Sequence, residues 1–206
     1  MRRGRFITLE GIEGAGKSSL QRALASALEI RGRVVCATRE PGGTPLAEEI
    51  RAVALNRRAE GMPAITELLL MFAARAAHVA QRIEPALARG EWVVCDRFTD
   101  ATRAYQGAGR GIGAETIESL ARIAHPDLAP DLTLLLDLPA AAGLARARQR
   151  QAGGDRFEDE ALEFFGRVRD GYLQLARREP QRFRILDATR SPDELLADAL
   201  MCLGLS

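Results

Sequence analysis

The chain has 206 residues, which is enough for one α/β domain with a hydrophobic core and too few for two ordinary domains. Its 29 lysine and arginine residues nearly balance its 28 aspartate and glutamate residues, so its charge indicates neither a nucleic-acid nor a membrane partner. We recognise no leader peptide, no apolar run long enough to cross a membrane and no C-x-x-C pair among the three cysteines, so we expect a soluble, cytoplasmic protein.

Five apolar segments are predicted as strands. Their residues do not alternate strictly between apolar and polar, which is typical of strands covered on both faces. The predicted strands are 5–10, 33–40, 91–97, 131–138 and 182–188. The segments between them show helical periodicity, which predicts helices at 17–31, 65–89, 114–124, 139–150, 158–178 and 193–203. The glycine-rich stretches 106–113 and 152–154 are predicted as loops.

This alternation predicts a three-layer α/β fold, in which helices flank a five-stranded parallel sheet and residues 1–206 form one domain. In such folds ligands bind at the carboxyl ends of the strands. The residues that follow each predicted strand are therefore the candidates for a binding site.

The first predicted strand is followed by the spacing Gly11-x-x-x-x-Gly16-Lys17-Ser18. This spacing predicts a P-loop, in which glycines turn backbone N–H groups toward phosphate, lysine reaches the β- and γ-phosphates, and the serine hydroxyl binds Mg²⁺. The predicted site for the ATP phosphates consists of Gly11, Ile12, Glu13, Gly14, Ala15, Gly16, Lys17, Ser18 and Ser19.

A second Mg²⁺ ligand should stand at the end of a neighbouring strand. Asp96 ends the third predicted strand, and Asp137 ends the fourth. We favour Asp96, because Arg97 beside it would add a guanidinium for phosphate, and we expect a structural or capping role for Asp137.

The sequence favours phosphoryl transfer to a second substrate over a GTP switch, because no N-K-x-D motif is present to read guanine. Arg39, Arg75 and Arg97 stand at predicted strand ends or on the long helix, where they would form a second anion site. Arg146, Arg148, Arg150 and Arg156 are predicted to form a lid at about 146–157 whose arginines neutralise the transferring phosphoryl group.

Neither of the two histidines, His78 and His125, lies in these motifs, so no general base is evident. A phosphate monoester needs none, because its second pKa is about 6 and it is already a dianion at neutral pH. A P-loop, several arginines and no evident general base together predict a nucleoside monophosphate kinase.

Five stretches together resemble the bacterial thymidylate kinases over roughly residues 5–188. They are LEGIEGAGKS, TREPGGTPLAEEIR, LLLMFAARAAHV, VVCDRFTDATRAYQGAGRG and PDLTLLLDLP. The resemblance implies a P-loop nucleotide kinase fold and a homodimer. It also implies the phosphorylation of dTMP to dTDP in dTTP biosynthesis with ATP and Mg²⁺, by direct in-line transfer.

The resemblance further implies roles for individual residues. Glu13 would contact the sugar 3′-hydroxyl or its metal, Arg39 and Arg97 the acceptor phosphate, Arg75 the thymine carbonyl, and Tyr105 the sugar C2′. Pro41 lies in the motif REPGGT, and Thr102 and Gln106 would line the base pocket. Phe72 would stack on thymine, although the family pattern places the stacking aromatic where this chain has Met71. The catalytic group would be Lys17, Arg97, Glu13 and a lid arginine, which we expect to be Arg150 with Arg146 beside it.

The sequence alone leaves two alternatives open. The chain could be a kinase for dUMP, AMP or GMP, or a regulatory module that binds ATP without transferring phosphate. For the dimer, the long helix 65–89 and helix 114–124 are the candidate surfaces.

Overall fold

The computed structural model describes residues 3–56, 59–149 and 162–205. Their five strands are β1 (Phe6–Glu10), β2 (Val35–Arg39), β3 (Trp92–Asp96), β4 (Leu132–Asp137) and β5 (Phe183–Asp187). All neighbouring strands pair in parallel, in the order β2-β3-β1-β4-β5. The predicted fold class and all five predicted strands are confirmed.

The helices of the described residues are α1 (Lys17–Ile30), α2 (Pro45–Leu55), α3 (Ala64–His78), α4 (Glu84–Ala88), α5 (Thr99–Thr102), α6 (Ala114–Ala124), α7 (Ala140–Gln149), α8 (Leu162–Arg178) and α9 (Pro192–Cys202). Two π-helical segments, Val79–Ile83 and Arg103–Gly109, extend α3 and α5. None of these described helices is long and apolar enough to span a bilayer.

Some of the helices differ from the prediction. The predicted helix 65–89 is one helical run, but its middle is π-helical at Val79–Ile83. Helix α2 was not predicted, although Thr44 caps it by accepting a hydrogen bond from the backbone of Ala47, and Pro45 stands at its first turn.

The predicted loop 106–113 is wrong over its first half, because the π-helical segment continues to Gly109. A Cβ atom on Gly109 would lie 2.6 Å from Phe164 of α8, and one on Gly171 of α8 would lie 2.7 Å from Ala108. Glycine here therefore permits close helix packing and does not mark a loop. The predicted loop 152–154 lies outside the described residues.

Helices cover both faces of the sheet. Phe6 of β1 packs with Val93 and Cys95 of β3 against the helical run α3–α4, whose contributing residues are Val79, Ile83, Ala86 and Leu87. Ile7 and Leu9, which alternate with Phe6 and Thr8 along β1, belong to the larger core that includes Leu20, Leu24 and Leu28 of α1. All five strands point the same way, so the residues after β1, β2 and β3 meet at one edge of the sheet.

Candidate active site

The loop after β1 contains three glycines with positive φ and leads directly into α1. Gly14 (φ 76°) and Gly16 (φ 96°) lie in the left-handed region, and a Cβ atom on Gly14 would lie 2.2 Å from the carbonyl oxygen of Gly143. Because α1 begins at Lys17, its unpaired N–H groups and the positive end of its dipole face this loop. The arrangement is suited to bind a phosphate anion.

Lys17 lies inside the loop, where its ammonium donates hydrogen bonds to the carbonyl oxygens of Gly11 at 2.9 Å and Ile12 at 2.8 Å. Burial lowers the pKa of Lys17 to about 8, helped by the nearby Arg97 and opposed by the carboxylates of Asp96 and Glu13. A phosphate group would favour the protonated lysine, so anion binding and the charge on Lys17 support each other.

Ser18 and Asp96 form a pair of oxygen ligands at the start of α1. The Ser18 hydroxyl donates to Oδ2 of Asp96 at 2.8 Å, and Oδ1 of Asp96 is buried without a hydrogen-bond partner. Asp137, the rival carboxylate, accepts two hydrogen bonds from Arg169, at 2.7 and 2.9 Å. Buried, unsatisfied carboxylate oxygens are uncommon, and a hard cation such as Mg²⁺ is a suitable partner for one.

The described residues contain no group of three or more His, Cys, Asp or Glu side chains that could hold a metal ion alone. This is compatible with Mg²⁺, which is usually held by one or two protein ligands together with phosphate oxygens and water. Ser18 and Asp96 therefore fit a magnesium ion that arrives with a nucleotide.

Arg97 has a φ of 74°, and no other non-glycine residue of the described chain has a positive φ. The turn is held from both sides, because the Arg97 N–H donates to the carbonyl oxygen of Leu9 at 3.0 Å and the Phe98 N–H donates to Oε1 of Glu10 at 2.7 Å. Strained backbone of this kind is often found at functional sites.

The guanidinium of Arg97 reaches the P-loop. Its Nη2 donates to Oε1 of Glu13 at 2.7 Å and to the Tyr105 hydroxyl at 3.1 Å, and the Tyr105 hydroxyl donates to Oε2 of Glu13 at 2.5 Å. Arg97 also lies over the Tyr105 ring, 4.6 Å from its centroid. Three residues from two of the predicted motifs thus form one polar cluster beside the phosphate cradle.

The buried side chain of Arg75 lies over the ring of Phe98, the residue that follows Arg97. Its Nη2 donates to the carbonyl oxygen of Phe98 at 3.2 Å and to the Thr102 hydroxyl at 3.0 Å, and its Cζ lies 4.8 Å from the ring centroid of Phe72. Nη1 of Arg75 is buried without a hydrogen-bond partner. The structure therefore brings Phe72, Arg75 and Thr102 together and leaves a donor for a ligand.

The remaining predicted acceptor residues have other partners. Gln106 donates to the buried Glu67 at 2.6 Å, and Met71 lies in the main core. Arg39 donates to Glu48 at 3.0 Å, and its side chain is 55% exposed, so the structure does not join it to Arg97. The carbonyl oxygen of Pro41 accepts a hydrogen bond from Arg51 at 2.8 Å.

Part of the predicted lid can be placed. Helix α7 packs on the P-loop, since a Cβ atom on Gly143 would lie 2.6 Å from the carbonyl oxygen of Glu13. Arg146 donates to the carbonyl oxygen of Ala188 at the end of β5, at 2.8 Å. Arg148 is exposed on α7, whereas Arg150 and Arg156 lie outside the described residues.

Sequence reasoning missed three buried polar residues of this site: Glu10, Glu40 and His78. Glu10 ends β1, where a carboxylate in an apolar run was a visible signal. Glu40 belongs to the motif REPGGT, and His78 stands three residues after Arg75, which places both on one face of α3. Their contact with Arg75 depends on how α3 meets the end of β2.

Comparison with known proteins adds the family. The family model for thymidylate kinase matches residues 9–199. A thymidylate kinase of Methylobacillus flagellatus is 54% identical over 198 residues, covering 96% of each chain, and one of Pseudomonas putida (strain W619) is 59% identical over 185 residues, covering 90% of this chain and 89% of the relative. The crystal structure of thymidylate kinase from Ehrlichia chaffeensis superposes with a TM-score of 0.80 at 33% identity, covering 98% of this chain and 99% of that chain. The chain belongs to the thymidylate kinase family.

Proposed function

We propose that the chain transfers the γ-phosphoryl group of ATP to the 5′-phosphate of dTMP, producing dTDP. The observation that carries the proposal is the 2.7 Å hydrogen bond between Arg97 and Glu13. This bond holds the guanidinium between the phosphate cradle and the buried side chain of Arg75, where an acceptor phosphate must lie for in-line transfer. Membership of the thymidylate kinase family supports dTMP as the acceptor.

The donor site is formed by the P-loop. The backbone N–H groups from Gly11 to Ser19 and the ammonium of Lys17 bind the ATP phosphates. Ser18 and Asp96 hold Mg²⁺, which neutralises phosphate charge when it is bound. The unpartnered Oδ1 of Asp96 supports this assignment.

The acceptor site lies on the other side of Glu13. Arg97, with Arg39 after a change of partner, binds the dTMP phosphate, and Nη1 of Arg75 donates to a thymine carbonyl. Phe72 stacks on the base, and Pro41, Thr102 and Gln106 complete the pocket. Glu13 and Tyr105 contact the sugar.

The residues act on charge and position. The acceptor phosphate is a dianion near neutral pH, so no side chain has to remove a proton from it. Arg97 and Lys17 draw the two negatively charged substrates together and stabilise the charge on the transferring group. We place the remaining neutralisation in the lid at about 146–157, with Arg150 as the donor and Arg146 beside it. In this proposal residues 1–206 act as one domain.

We also propose a homodimer and a cytoplasmic location. Ile65 and Leu69 on α3 and Ile123 on α6 are large, exposed apolar side chains on two predicted interface helices. The cysteines of the described chain, Cys36, Cys95 and Cys202, are free thiols, which suits a reducing compartment.

The test is an acceptor panel. ADP release is measured with ATP and Mg²⁺ while dTMP, dUMP, the ribose form of TMP, AMP or GMP is offered separately, and Asp96→Asn serves as the inactive control. Rapid release with dTMP and little with the others is the expected result. Release with AMP or GMP alone would reject dTMP as the substrate, and equal release without any acceptor would reject a kinase.

A further inference from the structure

The motif REPGGT carries a buried feature that ATP and dTMP binding do not account for. Glu40, which is 4% exposed, accepts a hydrogen bond from Nε of Arg75 at 2.7 Å on one carboxylate oxygen. The other oxygen lies 3.0 Å from Nδ1 of His78, a fully buried side chain. Nε2 of His78 in turn lies 2.7 Å from the hydroxyl of Thr38 at the end of β2.

The donors in this chain of contacts can be assigned. Burial alone would raise the pKa of Glu40, but the Arg75 guanidinium and the hydrogen bond from His78 lower it below its ordinary value, so Glu40 is a carboxylate. A carboxylate can only accept, so Nδ1 of His78 carries a hydrogen. Where that is the ring's one hydrogen, Nε2 accepts from the Thr38 hydroxyl.

The local backbone leaves room for the imidazole. Gly43 has φ 89°, and a Cβ atom there would lie 2.4 Å from Nε2 of His78. The segment that supplies Thr38 and Glu40 thus also makes the space that His78 fills. The segment from Thr38 to Gly43 therefore contacts both His78 and Arg75.

These contacts fix the orientation of the Arg75 side chain. Glu40 occupies its Nε, and the carbonyl oxygen of Phe98 and the hydroxyl of Thr102 occupy Nη2. A guanidinium is planar, so fixing two of its nitrogens also fixes the direction of the third. Nη1, buried and without a partner, is therefore aimed rather than free to turn.

We propose that Glu40 and His78 are positioning residues that hold Arg75 so that its Nη1 points at the acceptor base. The inference rests on the proposed function, because Arg75 must meet the base of the acceptor. Neither Glu40 nor His78 touches the substrate: Glu40 acts through Arg75, and His78 acts through Glu40.

Two isosteric replacements of His78 separate this role from simple packing. The amide nitrogen of asparagine reaches about as far from the backbone as Nδ1 of histidine and can donate to Glu40, and the amide oxygen of glutamine reaches about as far as Nε2 and can accept from Thr38. His78→Asn can therefore keep the hydrogen bond to Glu40, whereas His78→Gln keeps only the one to Thr38. Glu40→Asp is a third variant, too short to reach both Arg75 and His78.

We expect His78→Gln and Glu40→Asp to raise the KM for dTMP by about tenfold, with the KM for ATP nearly unchanged, and His78→Asn to stay close to the wild type. Glu118→Asp is the matched control, since Glu118 binds Arg103 at 2.7 and 2.9 Å with no link to Arg75. Equal KM values for dTMP in the asparagine and glutamine variants would overturn the proposal. So would a parallel rise in the KM for ATP.

A measurement on the wild type without substrates keeps this inference separate from the proposed function. Nitrogen-15 NMR of labelled histidine should show His78 with a hydrogen on Nδ1. A hydrogen on Nε2 alone would contradict the Glu40–His78 contact even if dTMP is the substrate. If the wild type fails to phosphorylate dTMP while His78 shows the expected tautomer, the proposed function fails and the contact stands.

Discussion

The hydroxyl of Tyr105 donates a 2.5 Å hydrogen bond to Oε2 of Glu13, which lies 92 residues earlier in the chain. This bond connects the π-helical segment after α5 to the P-loop. Tyr105 is 4% exposed, and its ring packs against Phe164 and Tyr172 of α8 at centroid distances of 6.1 and 6.3 Å. The position of the Tyr105 ring beside the phosphate cradle is therefore fixed by packing and by this hydrogen bond.

Tyr105 offers a test of how the sugar is selected. If the ring excludes a 2′-hydroxyl by its bulk, Tyr105→Phe should keep the preference for dTMP over the ribose form of TMP, while Tyr105→Ala should lose most of it. We expect that preference to fall by at least about tenfold in the alanine variant. The measurement is kcat/KM for both acceptors. Loss of the preference in the phenylalanine variant would assign selection to the hydroxyl and not to the ring.

Arg97 should matter for transfer and not for nucleotide binding. Arg97→Ala removes the guanidinium next to Glu13, and we expect kcat to fall about a thousandfold, as for other arginines that stabilise phosphoryl transfer. The affinity for ATP, measured by calorimetry, should stay within about twofold, because the P-loop is intact. Arg190→Ala is the control, since Arg190 is an exposed residue paired with Glu194 and Asp198. A loss of ATP affinity as large as the loss of kcat would contradict the assignment.

Ser18 should set the magnesium requirement. Ser18→Ala removes an oxygen ligand beside Asp96, and we expect the Mg²⁺ concentration for half-maximal activity to rise by about tenfold or more. Ser18→Thr keeps the hydroxyl and should stay close to the wild type. A magnesium titration of initial rates compares the three proteins. If alanine and threonine behave alike, the hydroxyl is not a ligand.

The fold was predictable where one sequence signal dominates. The strands were predictable because runs such as WVVCD are apolar without interruption. The contact between Ser18 and Asp96 was predictable because each residue follows or ends such a run at the same edge of the sheet. The helical conformation of Arg103–Gly109 was not predictable, because Gly107 and Gly109 are typical of a loop. Only the close packing of Phe164 against Gly109 shows why a glycine stands in a helix there. The Glu40–His78 contact was missed for a related reason: it depends on where α3 crosses the end of β2, which neither segment specifies alone.

The close contact between α7 and the P-loop gives a further prediction. In Gly143→Ala the new methyl group would lie 2.6 Å from the carbonyl oxygen of Glu13 and 2.7 Å from Cδ1 of Ile12, so the helix and loop must separate. We expect kcat/KM for ATP to fall by about tenfold, because small displacements of phosphate-binding groups are costly.

Gly166 of α8 supplies the matched control for that variant. A Cβ atom there meets no atom within 4 Å, so Gly166→Ala should leave the kinetics unchanged. It should also stabilise the protein by up to about 1 kcal/mol, because alanine is the better helix former. If both alanine variants have wild-type kinetics, the contact between α7 and the P-loop has no functional role.

Glu10 should make stability depend on pH. Burial, together with the nearby carboxylate of Asp100, raises its pKa from 4.5 to about 8, against the opposing effects of Tyr172, Arg97 and the Phe98 N–H. Between these two values the unfolded chain loses the Glu10 proton while the folded chain keeps it. The stabilisation that the raised pKa of Glu10 gives the folded protein is therefore fully present below the unfolded pKa of 4.5, and it is lost as the pH rises toward about 8.

The comparison is with Glu10→Gln, which cannot titrate and can still accept from Phe98 and donate to Tyr172. Urea unfolding across this pH range should show the wild type losing stability relative to the variant, by up to about 1.4 kcal/mol per pH unit. Parallel stability curves for the two proteins would show that Glu10 is ionised in the fold.

The most direct measurement follows the phosphoryl group itself. Wild-type protein is incubated with Mg²⁺, dTMP and ATP labelled in the γ-phosphate, and the labelled products are separated. We predict that the label appears in dTDP in step with ADP formation, and that Lys17→Met, with the ammonium removed from the cradle, forms almost none. Label that appears in inorganic phosphate, with dTMP recovered unchanged, would contradict the account.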